Sequence, residues 1–187
     1  NKLKMNKKIL KFGLFGIIIF LVVVFYGKLA YENIISNTYD KPSFVPYAEQ
    51  NVFTSYTWPL YTIDGDELYF KKYKGKVLML VFVSTKSKES LYQLHSLKKI
   101  YEDYNTKMNF IFVSNDNHKM ISDYFSDNNF YFPLYFYLRT PPKYFSDAII
   151  PQTYVISSKG RIAVDFSGPA NWDNKEFREL LDGLLKK

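Results

Sequence analysis

The sequence predicts an α/β domain, with a central mixed β-sheet flanked by helices, that follows a single N-terminal transmembrane helix. Two continuous apolar runs, residues 77–83 and 109–114, have the length and composition of strands covered on both faces. Each run precedes a segment with apolar residues at helical spacing. A strand, a helix and a second strand in this order indicate a parallel pair joined by a right-handed crossover.

The N-terminal segment has the features of a membrane anchor. Five lysines and no acidic residue occur in the first eleven residues, and residues 12–26 are uninterruptedly apolar. Residues 9–30 suffice to cross a bilayer if the flanking lysines extend to the headgroups. The lysines predict single-pass insertion in the inner (cytoplasmic) membrane, with a cytoplasmic N-terminus and a periplasmic or otherwise extracytoplasmic domain. A cleaved signal peptide is the alternative, because its apolar region is commonly about 7 to 15 residues long.

The positive charge is concentrated in that same segment. Removing the five N-terminal lysines from the net charge of +7 leaves +2 for the rest of the chain. A nucleic-acid-binding protein needs its positive charge clustered on the folded surface. The sequence therefore predicts that the membrane is a partner and that nucleic acid is not.

We expect three parts in the chain. Residues 1–30 form the basic tail and anchor, residues 31–58 form an aromatic-containing spacer, and residues 59–187 form the domain. The spacer contains two prolines and no sustained periodicity, but it has too many apolar residues for a freely solvated tether. It packs either on the domain itself or on a partner subunit, and the sequence leaves both alternatives open.

The C-terminal third contains a hairpin signal and a helix signal. Residues 152–157 and 161–166 flank the turn Ser158-Lys159-Gly160. Asp173 and Glu176 have the spacing of a capping box before a last amphipathic helix. The predicted order within the domain is therefore strand, helix, strand, helix, strand, strand, helix.

Four stretches of the domain together carry a resemblance to a known family. They are residues 59–82 with Gly65 and Gly75-Lys76, the turn with Ser87 and Ser90, residues 109–116 with Phe132-Pro133, and residues 150–156 with 168–172. In this order and at this spacing they resemble the TlpA/ResA-like branch of membrane-anchored thioredoxin-like proteins. The resemblance implies a thioredoxin-like fold and places Ser87 and Ser90 where that family has the pair Cys-x-x-Cys.

Thiol-disulfide chemistry is excluded, because the chain has no cysteine and a serine hydroxyl cannot form a disulfide. We therefore expect no catalytic residue at the degenerate positions Ser87 and Ser90. Ser87 is predicted to cap the following helix, with Glu89 near the positive end of the helix dipole. A serine nucleophile needs a base, but His95 lies about 140° around the helix from Ser90. A hydrolytic site is therefore disfavoured.

The sequence predicts neither a metal site nor a cofactor site. Two histidines and no thiol leave few ligands, and Asp116 near His118 is interpreted as an ordinary polar loop. The sequence contains no GxGxxG and no P-loop motif. We therefore expect an enzymatically inactive chain with no bound cofactor.

The candidate binding residues are Ile150, Pro151, Lys86 and Lys88. The resemblance implies a cis-proline loop at Pro151, where the backbone of Ile150 would pair with an extended peptide by β-augmentation. Retention of Pro151 for the fold alone is the alternative. Lys86 and Lys88 give the turn a basic rim, which would attract an acidic partner or is simply a solvated turn.

Together these features favour a binding protein over an enzyme. The hypothesis is a redox-inactive, membrane-anchored thioredoxin-like protein that acts as a binding or scaffolding subunit of a bacterial cell-envelope membrane complex. Its expected partners are envelope membrane-protein subunits or extended peptide segments. The alternative is a diverged member of a thiol-disulfide oxidoreductase or chaperone system that binds client peptides at the cis-proline groove.

Overall fold

The computed structural model describes residues 7–36 and 39–186, which separate into two compact units between residues 35 and 36. The described part of the first unit belongs to helix α1, Lys7–Ser36, whose last residue falls in the second unit. Its segment Gly13–Tyr31 is long and apolar enough to cross a membrane, and the side chains of that segment are exposed. An N-terminal helix of this kind is a candidate membrane anchor or signal sequence.

The second unit is built on one mixed sheet, as the sequence predicts. Its described strands are β1 Pro59–Tyr61, β2 Glu67–Tyr69, β3 Leu78–Phe82, β4 Asn109–Ser114, β5 Leu134–Phe136, β6 Gln152–Ile156 and β7 Ile162–Ser167. The strand order is β2-β1-β5-β4-β3-β6-β7, in which β3, β4 and β5 are parallel and the other pairs are antiparallel. The predicted order lacked β1, β2 and β5, because each has only three residues and so shows no periodicity.

The helices cover one face of this sheet. They are α2 Lys88–Tyr104, α3 His118–Asp127 and α4 Lys175–Leu185. Their inward side chains form one core with alternate residues of β3, which include Met79 and Val81. Successive side chains of a strand point to opposite faces, so Leu78, Leu80 and Phe82 enter a second core.

Aromatic side chains cover the other face in place of a helix. Phe53, Trp58 and Phe70 are buried there with Phe145 and Tyr154. Trp58 stacks on Phe82 with ring centroids 6.0 Å apart, and Phe53 stacks on Phe145 at 4.8 Å. Four of these five residues come from segments without regular strand or helix structure or from short 3₁₀ turns, and only Tyr154 belongs to a strand.

The segment before β1 lies along the edge strand β7. The Val45 N–H donates to the Ala163 carbonyl, the Ile162 N–H donates to the Asn51 carbonyl, and the Phe53 N–H donates to the Gly160 carbonyl. These bonds pair β7 on its outer side, where an open edge would otherwise expose unpaired backbone groups. The aromatic residues of this segment therefore pack on the domain.

The two C-terminal signals have different outcomes. The predicted hairpin is confirmed, and Gly160 at its turn has φ +76°, where a side-chain Cβ would lie only 3.2 Å from the Phe53 carbonyl oxygen. The predicted capping box is wrong: the Asn174 side chain caps α4 by accepting from the Phe177 N–H. Asp173 instead accepts from the Arg178 guanidinium.

Tyrosines in the aromatic core should make the domain sensitive to alkali. Burial raises the pKa of Tyr73 and Tyr154, and burial with a hydrogen bond to Asp165 raises the pKa of Tyr144 to about 12. As the pH rises past the ordinary tyrosine pKa of about 10, the unfolded chain loses these protons first. The free energy of unfolding should therefore be unaffected by these groups below that pH and should fall above it.

Urea unfolding between neutral pH and the alkaline range, followed by tryptophan fluorescence, measures this dependence, because Trp58 and Trp172 are both buried. Tyr154→Phe should make the alkaline decrease shallower by at most about 1.4 kcal/mol per pH unit, the value for one proton. An equally steep decrease in this variant would show that Tyr154 ionises equally readily in both states.

Candidate functional site

A buried carboxylate holds the turn that follows β3. The Asp116 side chain is only 2% exposed and accepts hydrogen bonds from the Ser84 hydroxyl, the Thr85 N–H and the Thr85 hydroxyl at 2.6 to 3.0 Å. The Lys86 ammonium lies 3.8 Å from the same carboxylate, although its side chain is 82% exposed. The turn is therefore fixed by charge-assisted hydrogen bonds to the loop after β4.

Both degenerate serines have structural partners. The Ser87 hydroxyl oxygen accepts from the Ser90 N–H at 3.0 Å, so Ser87 is the N-cap of α2, as predicted. It also donates to the Glu89 carboxylate at 3.1 Å. Ser90 is fully buried, and its hydroxyl oxygen accepts from the Ser84 N–H at 3.0 Å. The two hydroxyls therefore stabilise the start of α2.

The histidines lie against aromatic rings. The His95 ring makes an edge contact with Phe130 at 5.2 Å, and the His118 ring stacks on Phe136 at 3.7 Å. Within the part of the chain that the structure describes, no group of three or more His, Cys, Asp or Glu side chains could hold a metal ion. Asp116 is not the ordinary polar loop residue that the sequence suggested, because its carboxylate is buried and bonded to the turn.

The cis-proline loop lies beside this turn. The Ile150–Pro151 bond is cis, and the register pairs Phe82 with Gln152, so residues 150–151 lie beside the end of β3. We call the end of the sheet formed by residues 84–87, 115–116, 137–141 and 148–151 the carboxyl edge. The Ile150 N–H and carbonyl form no hydrogen bond with any residue of the range 39–186. Both groups are therefore available to a partner.

A cavity of about 390 Å³ opens at the carboxyl edge. Its lining includes Asn115, Tyr137, Leu138, Arg139, Ser146 and Ala148. Burial and the negative charge of Asp116 raise the pKa of Tyr137, which indicates that the carboxylate lies within electrostatic range of the cavity wall. Leu138 of this lining is 72% exposed, and Ile149, which follows Ala148 of the lining, is 74% exposed. We call these two side chains the apolar rim. The edge thus combines unpaired backbone, apolar side chains and one guanidinium.

The structure brings most of the predicted site residues to one edge. Ser87, Ser90, Ile150 and Pro151 lie at the ends of the adjacent elements β3, α2 and β6. Lys88, the first residue of α2, is exposed and pairs with no carboxylate of the described chain.

Sequence reasoning missed the role of Asp116 and the contribution of Arg139. Asp116 was detectable in principle, because it follows the buried strand β4 by two residues and the ends of adjacent parallel strands meet. Arg139 lies in a loop after β5, and that three-residue strand gives too weak a pattern to place the loop.

These features define the class of protein. Residues 75–162 match the model of a family described as thioredoxin-like, and the mixed sheet, the helix-capping turn and the cis-proline loop agree with that match. The chain therefore contains a thioredoxin-like domain, here without cysteine. The resemblance seen in the sequence is confirmed at this level.

Solved structures with a similar fold carry names from thiol-disulfide chemistry. A thioredoxin-family thiol:disulfide interchange protein from Chlorobium tepidum TLS is 18% identical, with a TM-score of 0.58 over 72% of this chain and 97% of that one. A putative interchange protein DsbE from Chlorobium tepidum is 14% identical, with a TM-score of 0.59 over 79% and 96%. A secreted thiol-disulfide isomerase from Corynebacterium glutamicum is 13% identical, with a TM-score of 0.59 over 78% and 92%. No curated protein matches the chain.

Removing the Asp116 carboxylate should destabilise the domain. Asp116→Ala leaves the Ser84 and Thr85 donors without their acceptor, and we expect the free energy of unfolding to fall by about 2 to 4 kcal/mol. Urea unfolding followed by tryptophan fluorescence measures the loss. Asp123→Ala is the control, because Asp123 is exposed on α3 and its ion pair among the described residues is with the exposed Lys119. Equal stability of Asp116→Ala and the control would contradict a structural role for the buried carboxylate.

Proposed function

We propose that this chain is a redox-inactive, membrane-anchored binding protein that holds an extended segment of an envelope protein at its carboxyl edge. In this role it acts as a scaffolding subunit of a membrane complex. The observation that carries the proposal is the unpaired backbone of Ile150 beside an exposed apolar rim.

The chemistry of the turn supports binding over redox catalysis. The chain has no cysteine, and both serines at the degenerate positions have structural hydrogen-bond partners. A hydroxyl cannot carry two electrons between substrates as a dithiol does. What the fold offers at this edge is a backbone donor and acceptor in a loop, which are the groups that strand pairing uses.

The side chains around Ile150 support an extended ligand. Leu138 and Ile149 expose apolar surface, and the cavity beside them has room for a side chain of a bound segment. Main-chain pairing supplies affinity in β-augmentation, whereas such flanking pockets supply specificity. Arg139 is the charged residue in the cavity lining and would favour an acidic or amide side chain at that position.

The N-terminal helix supports location at a membrane. Gly13–Tyr31 has the length and composition of a membrane span, and the preceding lysines favour a cytoplasmic N-terminus. A similar structure belongs to a protein that is named as secreted, which agrees with a domain outside the cytoplasm. Anchoring would keep the domain at the inner membrane next to membrane-protein partners.

A second candidate function follows from the names of the similar structures. Several are thiol:disulfide interchange proteins, so this chain could instead bind cysteine-containing clients while another protein supplies the thiols. The two candidates share the carboxyl edge and differ in the ligand. In the second, binding depends on cysteines in the client.

Photo-crosslinking in cells tests the proposed site. A photo-crosslinking amino acid replaces Ile149 in the full-length chain, and the matched control replaces Met120, which is 61% exposed on α3. We expect a discrete membrane-protein adduct from position 149 and none from position 120. Leu138→Glu should reduce the adduct from position 149, because it places a charge on the apolar rim.

Two further experiments decide between the two candidate functions. Purification of the full-length protein in mild detergent should recover the crosslinked protein in a fixed ratio if it is a complex subunit. Substitution of the cysteines of that protein by serine should leave the adduct unchanged. Loss of the adduct after this substitution would favour the client-binding candidate, and adducts of equal yield from both positions would remove the support for the carboxyl edge.

A further inference from the structure

Exposed lysines without acidic partners gather at the end of the sheet opposite the carboxyl edge. Four of them lie in the short stretch between β2 and β3, where no acidic residue occurs: Lys71, Lys72, Lys74 and Lys76. No carboxylate of residues 39–186 lies within ion-pair distance of any of these ammonium groups. Their charge is therefore free to attract an anionic ligand.

The strand register brings a fifth lysine to this group. β3 pairs with β6 from Leu78 opposite Ile156, so the residues before β3 lie beside the β6–β7 turn. Lys74 and Lys159 consequently line one groove of about 260 Å³. We call this end of the sheet, residues 52–54, 74–76 and 157–161, the hairpin edge.

Apolar walls accompany the cations in this first groove. Val52, which is 54% exposed, and the Tyr56 ring line it beside the two lysines. The hydroxyls of Thr54 and Ser158 also border the groove. A ligand in it would meet both positive charge and apolar surface.

A second groove of about 530 Å³ shares Ser158 and Lys159 with the first groove. Its apolar lining includes Val45, Leu180 and Leu184, and its second cation is Arg161. The Arg161 guanidinium is held over the Tyr47 ring at 4.6 Å and donates to the Gln50 carbonyl at 3.3 Å. This fixed position gives the groove a cationic wall that does not depend on side-chain rearrangement.

We propose that the hairpin edge binds an acidic segment of a partner protein that also carries aliphatic or aromatic side chains. Carboxylates of the segment would meet Lys74, Lys159 and Arg161, and its apolar side chains would enter the two grooves. Charge complementarity of this kind speeds association and fixes orientation, whereas buried apolar anchors supply affinity. A phosphate polymer would use the cations alone, and the flat surface of a bilayer would not fill two grooves. This site is independent of the carboxyl edge.

Peptide binding to the full-length protein in zwitterionic nanodiscs tests the proposal. The probe is a fluorescent synthetic peptide that alternates glutamate with leucine and phenylalanine, and fluorescence anisotropy gives its Kd. Two comparison peptides replace all glutamates by glutamine or all apolar residues by alanine. We expect each to bind at least about tenfold more weakly, and we expect added salt to weaken binding of the first peptide.

Charge reversal locates the site. The variant Lys74→Glu/Lys159→Glu should bind the peptide at least about tenfold more weakly. The control Lys119→Glu/Lys175→Glu changes the net charge equally on exposed positions of α3 and α4 and should bind as the parent does. Fluorescence of the two buried tryptophans reports folding, and Lys74→Gln/Lys159→Gln serves if the reversed variant is unfolded.

Several results would overturn the proposal. One is equal loss of binding in the control variant, which would indicate a nonspecific charge effect. Another is unchanged affinity for the alanine peptide, which would remove the apolar component. Tighter binding of polyphosphate or of anionic lipid vesicles than of the acidic apolar peptide would assign the lysines to one of those ligands instead.

Discussion

Strand β3 is the element on which both cores of the domain depend. Its five residues are all buried, and the alternation of its side chains sends Met79 and Val81 to the helical core and Leu78, Leu80 and Phe82 to the aromatic core. It pairs with β4 on one side and β6 on the other. Its two ends also set the two edges of the molecule, because the register of β6 brings the cis-proline loop to one end and the hairpin turn to the other. A change in this register would move both edges together.

The aromatic composition has a structural explanation in the second core. Phe and Tyr contribute 34 residues, and many lie on the face that no described helix covers. An irregular segment presents few side chains per unit length, so large rings are needed to remove the sheet from water. Phe53, Tyr56 and Trp58 do this from a segment that also pairs with the hairpin and with β7. The composition left open whether this segment packs on the domain itself or on a partner subunit, and in the structure it packs on the domain.

The sequence predicted the parts of the fold that have a strong local pattern. The runs that became β3 and β4, the apolar spacing of α2 and the glycine of the β6–β7 turn are local signals, and all were found where expected. β1, β2 and β5 were not predicted, because a strand of three residues is defined by its neighbours in the sheet. The cap of α4 was assigned one residue early, because Asp173 and Asn174 are both residue types that cap helices well. In the structure Asn174 caps the helix, whereas Asp173 accepts a hydrogen bond from Arg178. The role of Asp116 was missed for a different reason: its hydrogen-bond partners lie about 30 residues earlier in the chain, so no local pattern shows them.

The turn between β3 and α2 is held by its own hydrogen bonds. The polar groups of this turn form hydrogen bonds with one another, with Glu89 and with Asp116; they belong to Ser84, Thr85, Ser87 and Ser90. The turn is therefore held by internal bonds. The two proposed binding sites use groups that the fold leaves unpaired. These are of two chemical kinds at two ends of β3: backbone with apolar side chains at the carboxyl edge, and cations with apolar grooves at the hairpin edge. Because the edges lie at opposite ends of the same strand, a ligand at one does not cover the other. Under the two proposals, partners held at both edges of one sheet would gain effective concentration for each other, which is the physical basis on which the domain would act as a scaffold.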